Sequence, residues 1–298
     1  MKPVVAICWG LVLAVPVAGL GQVLGPDPET LGFDDPESWA LKYFSSVIMP
    51  SPMGGPDTLE PWQLEWRLEV GEVPFLSETQ RRVGFDGTKV EDLNHVQLLL
   101  RPALAIGLPG GFYTEFSYLP PVTYFGVDSE LLSVMAGREM FTLGGISAGL
   151  HLFASYGASE GAFTCSEDLI AGGHDPFDCT PPSRDRSRMR VYGATLSLKA
   201  QTDAFGGWVP FAEITYREMN LDFRTRVTVF DDSAVDSRTL TTRGNNWSYL
   251  AGVQVDVGDR WELILAFNYA PLDVVRDARR GVENDSLRQV RSQIRFRF

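Results

Sequence analysis

Three histidines are the scarcest proton-exchanging groups in this chain, and two of them sit where chemistry could follow. His174-Asp175 lies between Cys165 and Cys179, and an adjacent imidazole and carboxylate could form a general-base dyad. Gly172, Gly173 and Pro176 around it also spell turn chemistry. His151 stands four residues from both Ser147 and Ser155. On a strand all three share one face, where an imidazole could activate a hydroxyl. The competing reading of His151 is a hydrogen-bonding residue inside the fold. Neither pair falls in a local catalytic motif, so no catalytic residue is assigned; His174, Asp175 and His151 stay as candidates.

The remaining reactive groups narrow the chemistry further. Cys8 lies in an apolar start, leaving Cys165 and Cys179 inside one polar segment. In an oxidising compartment two such thiols pair most simply as a disulfide, worth ~3 kcal/mol for a loop of this size. Only His174 lies between them, so no metal site is read, and no cofactor motif is found. The acidic cluster Asp231, Asp232 and Asp236 lacks calcium-loop spacing. It could bridge cations to the phosphates of a lipopolysaccharide. A net charge of −12 and the lack of a basic patch with stacking aromatics argue against nucleic acid as a partner.

Most ionisable residues recur instead on one face of alternating segments. Trp62, Leu64, Trp66, Leu68 and Val70 oppose Gln63, Glu65, Arg67 and Glu69 without a break. The pattern predicts strands at 62–70, 96–108, 112–122, 146–157, 188–200, 207–230, a return to 257, 261–270 and 288–298. At 131–138 it is weaker, and a short helix is the alternative. The polar faces carry Glu65, Arg67, Glu69, Arg101, Glu115, Arg190, Glu213, Arg217, Glu262, Arg291, Arg295 and Arg297, together with Arg138 and Lys199. The apolar faces carry rings such as Trp62, Tyr118, Tyr156, Trp208, Trp247, Trp261 and Tyr269.

The chain ends on such a strand: Val290, Ile294, Phe296 and Phe298 point one way, and Arg291, Arg295 and Arg297 the other. This ending resembles the closing strand of a bacterial outer-membrane β-barrel, whose final aromatic is read by the assembly machinery. The first residues add a secretory signal: Lys2, an apolar run to residue 18, and small residues at Gly19 and Gly21. Short connections near 109–111, 139–144, 201–206 and 258–260 alternate with long polar ones, as periplasmic turns and extracellular loops do in that class.

The resemblance implies an all-β fold, a closed antiparallel transmembrane β-barrel of about ten strands in the outer membrane, surrounded by its lipid and lipopolysaccharide. Residues 1–21 are read as the signal, 22–60 as a periplasmic segment or plug, and 61–298 as the barrel. Trp39, Leu41, Tyr43, Ser45 and Val47 also alternate; if they span, the count becomes twelve. Pro102 breaks a strand at its middle with no evident reason. The charged inner face is expected to line the lumen, as a pore or as a paired network filling it. The leading function is passive transport or a structural role. The alternative is a surface hydrolase similar to omptins or outer-membrane phospholipases, with its site at the extracellular rim.

Overall fold

The structure is a computed structural model describing residues 28–56, 58–124, 126–171, 181–201, 207–229, 234–277 and 279–298. Ten long strands follow one another: β1 (Leu64–Glu72), β2 (Leu98–Leu108), β3 (Phe112–Tyr124), β4 (Val127–Leu143), β5 (Ile146–Gly161), β6 (Asp185–Ala200), β7 (Trp208–Val229), β8 (Ala234–Val257), β9 (Trp261–Ala270) and β10 (Leu287–Arg297). Each pairs antiparallel with the next. The sheet then closes on itself, with Arg297 opposite Glu65 and Arg291 opposite Gly71. The weak segment at 131–138 is the centre of β4, so the helical alternative there does not hold.

The period of two explains why these residues make this wall. On β9, Trp261, Leu263, Leu265 and Phe267 face outward and exposed, while Glu262, Ile264, Ala266 and Asn268 are buried inside. The same division runs round the barrel, leaving Leu104, Phe116, Leu150, Leu196 and Val290 on an apolar outer belt. Outward-facing rings bound that belt on two levels. Trp208 and Tyr216 on β7, and Trp261 and Tyr269 on β9, lie eight residues apart. At about 3.3 Å per residue and a tilt of about 40° this is roughly 20 Å of height, close to a hydrocarbon core. The chain is a transmembrane β-barrel.

Charge fixes the closing register. Arg297 Nε donates to Glu65 at 2.8 Å, and Arg291 Nε to Glu69 at 2.6 Å. A one-residue slip would turn β10's arginines toward lipid, at ~2–4 kcal/mol each near the midplane.

The inside of the barrel is occupied. Residues 36–47 form a helix, α1 (Pro36–Val47), and not a strand, which removes the twelve-strand alternative. Asp35 stands at the N-cap position, Pro36 opens the first turn and Glu37 suits the dipole, an ordinary helix start. Trp39, Tyr43 and Val47 lie on one helical face and pack on Leu76, Val83, Ala270, Leu272 and Leu287. Each such buried side chain contributes roughly 1.5–3 kcal/mol. Leu41 points the other way, onto Leu131, Met135 and Met189. Residues 49–56 follow, all buried, and the chain leaves at the turn end, where Trp62 N–H meets Gly107 O at 2.8 Å. Gly107 is required there, since a Cβ would lie 2.0 Å from Glu60 O. At the other end Glu29-Thr30 runs parallel beside Leu240-Thr241 of β8. The N-terminal segment thus enters from the loop end and threads the barrel to its turn end.

Candidate functional site

Two regions of the interior could carry function, one charged and one apolar. The charged region fills the turn-end half. Glu65, Arg67, Glu69, Arg101, Glu115, Glu213, Arg217, Glu262, Arg291 and Arg295 are all buried there, five acids and five arginines. Arg67 bonds Glu115 at 2.6 Å and Glu65 at 2.8 Å, Arg295 meets Glu262 at 3.1 Å, and Glu69 takes both Arg101 and Arg291. Arg297 lies half-buried at the rim, 2.9 Å from Glu262. The ten buried charges balance in sign, and Arg297 at the rim adds one positive charge.

Several of these side chains hold the threaded segment. Arg291 donates to Met49 O at 2.9 Å, Arg295 to Pro52 O at 2.6 Å and to Met53 O, and Ser51 Oγ donates to Glu213. Pro50, Pro52 and Pro56 carry no N–H. A segment offering mainly carbonyls therefore meets a wall offering mainly guanidinium donors, which satisfy the carbonyls of Met49, Pro52 and Met53.

Two residues expected on this inner face lie outside. Met189 and Val191 take the buried positions of β6, so Arg190, with Tyr192, is on the outer face near the loop-end rings. Met189 and Val191 instead pack in one cluster with Leu41 of α1. Arg138 is also outward, stacked 4.9 Å over Phe112. Period two forbids Arg190 and Tyr192 from lying on opposite faces.

The catalytic candidates divide likewise. His174, Asp175 and Cys179 lie outside the described residues. His151 is fully buried, and its partners are not Ser147 or Ser155 but Tyr113 Oη at 2.8 Å and Ser197 Oγ at 2.7 Å. A Cβ at Gly137 would lie 2.3 Å from His151, and one at Gly149 would lie 2.6 Å from Pro56. The imidazole is thus packed between wall and threaded segment, with its polar atoms used in structure and no room for a substrate.

The apolar region lies at the loop end. A cavity of about 240 Å³ is lined by Ala40, Phe44, Val73, Val83, Leu93, Leu99, Leu131, Met189, Phe163 and Leu240, among others. Its floor is α1, its wall β2, β4 and β6, and its roof the surface loops. The roof is built: Asp92 N–H bonds Phe163 O at 3.0 Å, His95 stacks edge-on to Phe163, and buried Lys89 reaches Thr164 O and Glu91. Beneath it Lys42 Nζ donates to Asp273 O at 2.7 Å and lies over the Phe33 ring. The Tyr43 hydroxyl donates to Pro74 O at 2.8 Å.

Asp185 ties the remaining loop to the wall, accepting from Thr164 N–H at 2.6 Å, Ser183 Oγ at 2.7 Å and Thr225 Oγ1 at 2.6 Å. Cys165 is buried beside this hub. A bond from it to Cys179 is expected, and mass spectrometry without reduction should recover the two peptides linked. Alkylation of both thiols in native protein would contradict it.

The sequence reading located the charged face and left 22–60 open between a periplasmic segment and a plug, but it missed the cavity. A signal existed: Leu131, Met135, Phe153, Met189, Val191, Met219 and Leu221 are apolar at inward positions of strands whose outer faces are apolar too.

No protein family matches the chain, and no characterised protein matches it in sequence. Among solved structures it is similar to the outer membrane protease OmpT of Escherichia coli, at 9% identity and a TM-score of 0.43 over 80% of this chain and 94% of that one. It is also similar to the translocator domain of the autotransporter NalP of Neisseria meningitidis, at 9% identity and 0.39 over 87% and 93%. Neisserial surface protein A follows at 10% and 0.30, over 79% and 97%. These are likenesses of barrel architecture.

Proposed function

We propose that this barrel sits in the outer membrane and binds small apolar molecules in the cavity beneath its surface loops. The observation that carries the reading is the cavity itself, about 240 Å³ with a predominantly hydrocarbon and aromatic lining. An apolar cavity of about 150 Å³ stays dry and takes up benzene. One this size suits a molecule of one or two rings or a short acyl chain. The filled turn-end half weighs against a water-filled pore, and the buried pairing of His151 weighs against a lumen enzyme. Lipid and lipopolysaccharide would surround the belt, and the last strand would present Phe298 to the assembly machinery.

The test is binding of N-phenyl-1-naphthylamine to the full chain in detergent, read by fluorescence above the micelle background. Saturable binding is expected. Ala40→Trp, on the cavity floor, should weaken it about tenfold or more, roughly 1.4 kcal/mol, with the folded gel mobility unchanged. Failure of the native chain to bind saturably would overturn the reading.

A further inference from the structure

The barrel wall is incomplete beside the cavity. β2 pairs with β1 along nearly its whole length, from Leu98 opposite Glu72 to Ile106 opposite Leu64. With β3 it pairs only from Ala103 to Leu108. The ladder stops at Pro102, which has no N–H to give it. Across the seam, Pro120 and Pro121 fall where the pairing of β3 with β4 shifts register, between Leu119 and Val122. Leu98–Pro102 and Tyr118–Tyr124 therefore flank a stretch of wall without a ladder between them.

The cavity reaches this stretch. Leu99 turns inward and is buried, while Leu98 and Leu100 are on the opposite, outer face of β2, Leu98 being 41% exposed. All three line the cavity, as does Leu119 of β3. A lining that includes both faces of one strand passes through the wall. Unpaired backbone at membrane depth is tolerated where it borders a cavity or protein, and costs several kcal/mol per group where it borders lipid tails. Tyr118, on the upper ring of aromatic residues, places the gap at the outer interface of the belt.

We infer that the cavity opens sideways through the seam between β2 and β3, and that small apolar molecules dissolved in the outer leaflet exchange with it without crossing water. The three prolines are then the device that keeps the seam unzipped. This inference rests on the binding reading above and adds the route and the source of the ligand. The source is the bilayer because the opening is continuous with the apolar belt.

The experiment uses the full chain in phosphatidylcholine vesicles, with Leu99→Cys as a reporter inside the cavity. N-phenylmaleimide dissolved in the bilayer should label this thiol, and mass spectrometry gives the rate. Pro102→Val, which restores an N–H to the ladder at a position outside the cavity lining, should slow labelling about tenfold while equilibrium binding of N-phenyl-1-naphthylamine stays unchanged, since entry and exit slow together. Leu100→Trp, which fills the seam from its outer face, should slow labelling in the same direction and serves if the Pro102 variant fails to fold. Labelling at the native rate in the folded variants, with binding intact, would overturn the lateral route alone. Absence of saturable binding in the native chain would overturn the binding reading.

Discussion

Glu69→Ala will lower the temperature at which the folded barrel survives by roughly 6–20 °C. Glu69 is buried and shared by two guanidinium groups, Arg101 and Arg291, the latter at 2.6 Å through Nε. Its removal leaves two cations in the interior against one fewer acid, in a lumen where five arginines otherwise meet five glutamates. Breaking a buried pair from one side costs ~3–5 kcal/mol, because the surviving charge stays desolvated. At ~2–4 °C per kcal/mol for a domain of this size, the shift follows. Glu69→Gln keeps an acceptor oxygen and should fall between the two. Glu78→Ala removes an ion pair to Arg82 with the carboxylate 70% exposed, and should move nothing measurable. The readout is the fraction of protein migrating as folded on an unboiled gel after heating to graded temperatures. Equal midpoints for Glu69→Ala and Glu78→Ala would mean that water reaches the network and screens it.

The parts of this molecule that were legible in the sequence are those that a single strand reports about itself. β1, β9 and β10 alternate cleanly because each residue faces either lipid or lumen, and the two environments select opposite chemistry. The closing register was legible too, since Glu65 and Glu69 on the first strand face arginines on the last. What could not be read comes from residues that gain meaning only together. Leu99, Leu131 and Phe163 are far apart in sequence and meet only across the closed barrel. Pro102 looked like a defect until the ladder to β3 was seen to end beside it. The helix α1 was hidden by coincidence. Trp39, Leu41, Tyr43 and Val47 alternate because all sides of the helix are buried, so its two apolar faces mimic a strand. Asp34-Asp35-Pro36 was the better signal, a helix start whose proline disfavours a central strand.

The threaded segment yields the other large effect. The native chain in planar bilayers should carry no sustained current, whereas a chain with residues 36–56 replaced by a short Gly-Ser link should conduct in discrete steps. Residues 49–56 are all buried, and they occupy the width that the inward side chains leave open. Eight strands make a barrel that side chains alone can fill; ten leave room for one extended chain besides. Arg291 and Arg295 hold that chain by its carbonyls at Met49, Pro52 and Met53. Hydrogen bonds from a charged donor are worth ~1.5–3 kcal/mol each, so the three together contribute on the order of 5 kcal/mol. Arg295→Ala removes two of the three and one of the two arginine partners of Glu262, so it should give brief openings in an otherwise silent chain. The direction of these changes separates two roles for the arginines. If they hold the segment, their loss opens a path; if they serve only to pair with glutamates, Arg295→Ala lowers thermal resistance and the bilayer stays silent.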